Sequence, residues 1–209
     1  MTNRQIVVTN LPKGELEPSH YATKEAPMPK PAEGEVLLRN ILMSIDAANR
    51  SWLNGPTYRA AVQAGDAMPT YAICEVIESR SPRLAVGDIV AAESVWADYV
   101  AVPARVAQKL PPVQHLTHLL SAYGIAGKTA FHGLLSVGKP LAGETIVVSA
   151  AAGSVGGYVG QIGKALGCRV VGIAGGAEKC AWLVNELGFD EAIDYKSDRV
   201  KAAIRAACP

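Results

Sequence analysis

Thr145-Ile-Val-Val-Ser149, followed by Ala150-Ala-Ala-Gly153-Ser-Val-Gly156, decides how this chain folds. The first five residues form a short apolar run, β-branched at most positions, introduced by Gly143 and closed by small side chains. Such a run reads as a buried parallel strand. Beyond the turn, Val155, Val159, Ile162 and Leu166 fall at i, i+4, i+7 and i+11, the spacing of one helix face, and Gly167 stops the helix. Arg169-Val-Val-Gly-Ile-Ala174 is a second strand, and Cys180, Leu183, Val184 and Leu187 mark the apolar face of a second helix stopped by Gly188. Glu191-Ala-Ile-Asp194 is a brief third strand, with a helix expected after it. Strand, helix, strand, helix, strand make one mononucleotide-binding half of a doubly wound parallel sheet.

The turn from Ala150 to Gly156 is a variant of G-x-G-x-x-G with alanine in the first glycine's place. A phosphate held at a helix N-terminus must approach backbone N–H groups, where the partial positive charge of the helix dipole is concentrated. Side chains larger than methyl keep it away. Gly153 permits that approach and Gly156 lets the helix lie tight on the strand, so Ala152, Gly153, Ser154, Val155 and Gly156 are the candidate cofactor-binding residues. Taken alone, a glycine-rich turn also serves plain packing. Its place between a strand and a helix favours a cofactor.

The end of the second strand bears on which cofactor. An NAD site places Asp or Glu there, about 20 residues past the glycines, to accept from the ribose 2′-OH. This sequence has Ala174-Gly175-Gly176-Ala-Glu178-Lys179 instead. Without a carboxylate on the strand tip nothing repels a 2′-phosphate, and Lys179 in the first turn of the next helix is placed to pair with it. The alternative is a solvated lysine on an exposed face, its field weakened by Glu178. Gly175 and Lys179 join the candidate residues, and NADP(H) is the expected cofactor.

Outward from this region the texture changes near residue 115. Short β-rich segments at 5–9, 35–44, 71–78, 88–92 and 96–102 are split by Pro and Gly, with Pro-rich joints at Pro27-Met-Pro-Lys-Pro31 and Pro111-Pro112. They read as an irregular, mainly antiparallel barrel or sandwich. A helix is expected over 128–137, and strands and helices then alternate. The domain division is therefore 1–115, β-rich, and 116–209, α/β.

Several stretches carry a family resemblance: Glu35-Val-Leu-Leu-Arg-Asn-Ile-Leu-Met-Ser-Ile-Asp46, Gly87-Asp88-Ile-Val, Trp96-Ala-Asp-Tyr99-Val, Gly127-Lys-Thr129-Ala-Phe, Ala150 to Gly156 with Val159-Gly-Gln-Ile162, and Val171-Gly-Ile-Ala-Gly-Gly-Ala-Glu-Lys-Cys180. With them the chain resembles the zinc-independent medium-chain dehydrogenase/reductase superfamily, and within it the prostaglandin reductase and alkenal double-bond reductase branch. The resemblance implies a GroES-like β-rich barrel that contributes to the substrate site. After it comes the first half of a Rossmann domain that binds NADP. It also implies reduction of the C=C bond of α,β-unsaturated ketones and aldehydes with NADPH. By position Lys179 resembles the family's 2′-phosphate lysine, Tyr195 its tyrosine near the same phosphate, and Thr129 a threonine near the nicotinamide. No catalytic residue is assigned.

Two departures matter. Many members have Asp-Pro-Tyr-Met-Arg where this chain has Asp46-Ala-Ala-Asn-Arg50, so Ala48 replaces an aromatic that lines the substrate pocket. Members are also much longer, so the resemblance implies a C-terminally truncated member with strands one to three only, and little activity for this chain by itself. Its full-length form is expected to be a homodimer acting on a small molecule. Residues 145–149, lacking a fourth-strand neighbour, are expected to leave an open edge that promotes self-association. A quinone reductase of the same superfamily and an inactive nucleotide-binding fragment are the competing readings.

Composition excludes other classes. With 20 basic against 19 acidic side chains, a net charge of +1 and no sustained run of one sign, nucleic acid and membrane surfaces are not expected partners. The start lacks an apolar stretch of signal-peptide length, and the most apolar segment, 146–159, is short and glycine-broken, so a cytoplasmic location is expected. Cys74, Cys168, Cys180 and Cys208 form no C-x-x-C pair and read as free, mostly buried thiols. No metal is expected: His115 and His118 share a ligand-like spacing, but no Cys or carboxylate accompanies them in the local sequence to complete a ligand set. His20 and His132 read as surface or packing residues. Tyr99, Tyr123 and Tyr195 read as core-edge residues.

Overall fold

In a computed structural model, which describes residues 2–208, the chain divides into two compact units, Met1–Leu116 and Thr117–Pro209. The first unit contains β1 (Thr2–Val8), β2 (Tyr21–Pro27), β3 (Glu35–Met43), α1 (Ala47–Trp52), β4 (Pro69–Ser79), β5 (Ile89–Val95), β6 (Tyr99–Pro103) and β7 (Gln108–Lys109). Five of these strands form an antiparallel sheet in the order β6-β3-β4-β5-β7, and β1 and β2 pair as a separate hairpin. Val36 and Leu38 on β3, Ala72, Cys74 and Val76 on β4, and Val90 and Ala92 on β5 share one buried cluster. Their two-residue spacing is the strand period, which puts alternate side chains on one face. The register shifts between Asn40 and Leu42, and Asn40 there donates to the Val95 and Ala97 carbonyls at 3.1 and 2.7 Å, tying the bulge to the end of β5.

The expected strands are present with adjusted ends. The segment expected over 96–102 becomes a strand only from Tyr99, because Ala97 pairs with Gln5 of β1 and Asp98 forms an ion pair with Arg4 at 2.9 Å. The first strand starts earlier than expected, at Thr2, since polar Asn3 and Arg4 pair with Ala26 and Glu25 of β2. The sequence reading missed β2 and α1. β2 is solvated on both faces except at Tyr21 and Ala26 and shows no apolar alternation. α1 begins with a capping box in which Asp46 accepts from the Ala48 N–H while the Asn49 side chain accepts from the Asp46 N–H, both at 2.8 Å.

The second unit contains α2 (Thr117–Leu120), α3 (Ile125–Phe131), β8 (Thr145–Val148), α4 (Ser154–Ala165), β9 (Arg169–Ala174), α5 (Ala177–Asn185), β10 (Glu191–Asp194) and α6 (Val200–Ala207). The helix expected over 128–137 starts three residues sooner and passes into a π-helical stretch, His132–Gly138, that ends at left-handed Lys139. β8, β9 and β10 form a parallel sheet in the order β10-β9-β8, the 3-2-1 order of a doubly wound half. Gly167 and Gly188 both follow their helices with positive φ, 82° and 73°, where a side chain would be strained.

Burial overturns two readings in this unit. The apolar stripe read on α4 is not its buried face: Val155 and Leu166 are exposed, Val159 and Ile162 half-buried, and the buried residues are Gly156, Gly157, Gly160 and Gly163. The helix lies so close to its neighbours that a Cβ on Gly160 would sit 2.0 Å from the Phe189 ring, and one on Gly163 would sit 2.9 Å from Ile146. Close approach selects the glycine face, and the larger apolar residues rotate outward. Similarly, β8 is buried only at Val148, and Val147 is 40% exposed, because β9 is its one strand partner among the described residues. On α5, Leu183 is fully buried while Val184 faces solvent.

Candidate functional site

The strand-to-helix turns of the parallel sheet lie at the carboxyl ends of β8, β9 and β10, the side on which open α/β sheets bind ligands. In the first, residues 149–153 carry the chain from β8 into α4. Ala150 adopts a left-handed conformation, φ 47°, its carbonyl accepts from the Gly153 N–H at 2.9 Å, and the Ala151 N–H reaches across to the Ile173 carbonyl of β9 at 3.0 Å. Ala151 is fully buried, and Ala152 packs half-buried on the same core. Gly153 is the N-cap of α4 and supplies no side-chain cap, so the N–H groups of Ser154, Val155 and Gly156 have no intrahelical acceptor and point out of the helix end. A Cβ on Gly156 would lie 2.4 Å from the Ala150 carbonyl oxygen and 2.8 Å from Ala151 Cα. Helix and turn are therefore in backbone contact there. Five candidates from the sequence, Ala152 to Gly156, are consecutive in this one turn and the first turn of α4.

The second turn joins β9 to α5 through Gly175 and Gly176, the latter with φ 96°. The structure brings Tyr195 to it: a Cβ on Gly175 would meet two ring carbons and the hydroxyl oxygen of Tyr195, each at 2.8 Å, so this side chain covers the glycine. The Tyr195 N–H donates to the Ala174 carbonyl at 3.1 Å, extending the β10–β9 pairing past its formal end. Lys179 stands exposed in the first turn of α5, and no ion pair occupies it among the described residues. Glu178 is the one acidic residue of that turn.

Thr129 is exposed on α3, a helix that packs against α4. The sequence reading missed Asp194, at the tip of β10, whose Oδ1 accepts the Gly176 N–H at 2.8 Å and the Lys196 N–H at 3.0 Å. The Gly176 and Lys196 N–H groups hold this carboxyl below the usual carboxylate range.

Cys74 is buried and its thiol is pushed up to about 12 by desolvation, which leaves it unreactive at neutral pH. Cys168 is also buried, and Cys180 and Cys208 are half-buried. Ala48 packs against the cluster of Val8, Trp52, Leu53, Val62 and Met68 in the first unit. Among the described residues no cluster of three His, Cys, Asp or Glu side chains is arranged to hold a metal ion, and no helix is long and apolar enough to cross a membrane.

Comparison with known proteins gives concordant findings. Residues 4–110 match the family described as the N-terminal domain of oxidoreductase. The chain is 40% identical to the NADPH-dependent curcumin reductase of Escherichia coli (strain K12), over 99% of this chain and 61% of that protein. It is 36% identical to prostaglandin reductase 1 of Bos taurus, over 91% of this chain and 57% of that protein. Among solved structures it is similar to CurA from Vibrio vulnificus in complex with NADPH, with a TM-score of 0.88 and 38% identity over 97% of this chain and 61% of that one. The chain spans about three fifths of the length of these relatives, 57–61%.

Proposed function

This chain belongs to the zinc-independent medium-chain dehydrogenase/reductase superfamily, and from that premise we propose that the protein is an NADPH-dependent reductase of C=C bonds conjugated to a ketone or aldehyde. The observation that carries the reading is the end of β9, where Ala174 rather than Asp or Glu ends the strand and Lys179 stands exposed beside Gly175 and Gly176. A dinucleotide fits the donor set: three outward N–H groups at the start of α4 suit a pyrophosphate, and the N-cap, Gly153, places no side chain in front of them.

In this reading Ser154, Val155 and Gly156 donate backbone N–H groups to the pyrophosphate, and Ala152 and Gly153 keep the approach clear. Lys179 pairs with the 2′-phosphate, with Tyr195 and Gly175 forming the wall beside it, and Thr129 lies toward the nicotinamide. Bound there, NADPH supplies a hydride to the β-carbon of the substrate. The protein orients the two reactants, excludes water and stabilises the enolate oxygen before the α-carbon is protonated. Residues 1–115 form the substrate domain and residues 116–209 the cofactor domain.

Steady-state assays of the intact protein with NADPH and a simple enone, an alkenal and a quinone test this function. Turnover of the enone and alkenal well above the quinone is expected. Preference for the quinone moves the protein to the other activity found in this superfamily, and absence of turnover with all three refutes a reductase.

We also propose that the protein is a homodimer and that this chain self-associates. The outer edge of β8 carries no strand among the described residues, and beside it lie Ile146, Val147 and Val148 with no proline or charge among them. Light scattering combined with amide exchange on 146–148 is the check. A monodisperse monomer, whether its edge exchanges fast or slowly, would show that the edge recruits no second copy.

A further inference from the structure

Asp194 is bound to the turn between β9 and α5, although it lies 18 positions along the chain from Gly176. One oxygen, Oδ1, accepts the Gly176 N–H at 2.8 Å and the Lys196 N–H at 3.0 Å, so the carboxylate spans the ends of two neighbouring strands. Its own N–H donates to Asp198 at 2.9 Å, which fixes the following turn as well. The next residue closes the clamp from above, with the Tyr195 ring over Gly175 and its N–H on the Ala174 carbonyl at 3.1 Å. Gly176 needs such a hold. It is the N-cap of α5 with φ 96° and ψ 147°, has no side chain with which to cap the helix, and would otherwise be the loosest joint between β9 and Lys179.

We propose that Asp194 is a positioning residue for cofactor selection: by accepting the Gly176 N–H it sets the direction in which α5 leaves the sheet, and thereby where Lys179 presents its ammonium group to a 2′-phosphate. The inference rests on the NADPH reading of this site. It also accounts for an acidic side chain so near an anion site. The carboxylate is turned toward two backbone donors, and the strand tip itself, at Ala174, carries no acid. The rival role is that of an acid reading the ribose hydroxyls, which NAD enzymes place at the end of the second strand.

The two roles differ in what the cofactors report. In the intact protein, NADPH and NADH are titrated by fluorescence against the unmodified chain, Asp194→Ala, Asp194→Asn, Lys179→Ala and the double variant D194A/K179A. Asp194→Ala is expected to weaken NADPH about tenfold, the worth of a charge-assisted contact set out of place, and to leave NADH within about twofold. Asp194→Asn keeps an oxygen that accepts both N–H groups and retains most of the preference. In the Lys179→Ala background, loss of Asp194 changes the NADPH to NADH ratio no further, because its effect passes through Lys179. A merely structural residue would weaken both cofactors alike and add fully in the double variant. Additive effects, a loss of NADH binding as large as that of NADPH, or a folded Asp194→Asn with collapsed preference each overturns the proposal, and the last keeps the test decisive if Asp194→Ala fails to fold. If the unmodified protein binds both cofactors equally, the NADPH reading itself fails and this role falls with it.

Discussion

Gly156→Ala is expected to cost about 3 kcal/mol of folding stability and to abolish measurable cofactor binding. The added Cβ would lie 2.4 Å from the Ala150 carbonyl oxygen, 2.8 Å from Ala151 Cα and 3.0 Å from the Ala150 carbonyl carbon. All three are backbone atoms in a turn already anchored by the Ala151 N–H to the Ile173 carbonyl and by the Gly153 N–H to the Ala150 carbonyl. No rotamer change relieves the clash, so α4 must lift off the turn. Lifting it also opens the contacts at Gly160 with Phe189 and at Gly163 with Ile146 and Val170. The same substitution at Gly153 meets one atom, the Ala150 oxygen at 3.1 Å, and is expected to cost under about 1 kcal/mol. Urea denaturation of both variants checks the ranking. Equal midpoints for Gly153→Ala and Gly156→Ala would show that the helix is not in hard contact at Gly156.

That contact also explains what the sequence could and could not convey. Strands β8, β9 and β10 were legible because runs such as Thr145-Ile-Val-Val and Arg169-Val-Val-Gly-Ile-Ala174 are β-branched and bounded by glycine, a local signal that does not depend on the rest of the chain. The buried face of α4 was not legible. A reading that looks for large apolar residues at helical spacing finds Val155, Val159, Ile162 and Leu166, while the face that packs is built from Gly156, Gly157, Gly160 and Gly163. Glycine registers weakly in any hydrophobic count, yet it is what permits the shortest distance between a helix and its neighbours. The hairpin of β1 and β2 escaped for the opposite reason. Its second strand is polar on both faces, and only its partner makes it a strand.

The site divides in the same way. The glycine turn at Ala152 to Gly156 and the exposed Lys179 could be read from adjacent residues, since a strand-to-helix turn and a helix's first turn are local. Tyr195 entered through resemblance alone, and Asp194 did not enter at all, because their roles at this turn are contacts between the ends of two strands. Tyr195 meets Gly175 through its ring, and Asp194 meets Gly176 through Oδ1. Pairing β10 with β9 in register, Asp194 opposite Ala174, creates both contacts at once. The parallel pairing could be expected from the alternation of elements, but the register could not.

Lys179→Ala is expected to erase most of the preference for NADPH over NADH, a change of about one to two decades in relative affinity, and to leave NADH binding unchanged. A charge-assisted contact to phosphate is worth on the order of 1.5–3 kcal/mol, and the exposure of Lys179 places it toward the lower end. Exposure supplies a second signature. Added salt should narrow the preference of the unmodified protein, since the ammonium and the 2′-phosphate meet in water, and should do little to the variant, which has no such pair to screen. Lys179→Arg keeps the charge at a similar reach and is expected to keep the preference, which separates a charge contact from a packing role of the lysine stem. Fluorescence titration of the intact protein and both variants, at low and high salt, reads all of this. Equal affinity of the unmodified protein for the two cofactors, or a preference that survives Lys179→Ala, would assign the 2′-phosphate to other residues and leave Lys179 a solvated side chain on the first turn of α5.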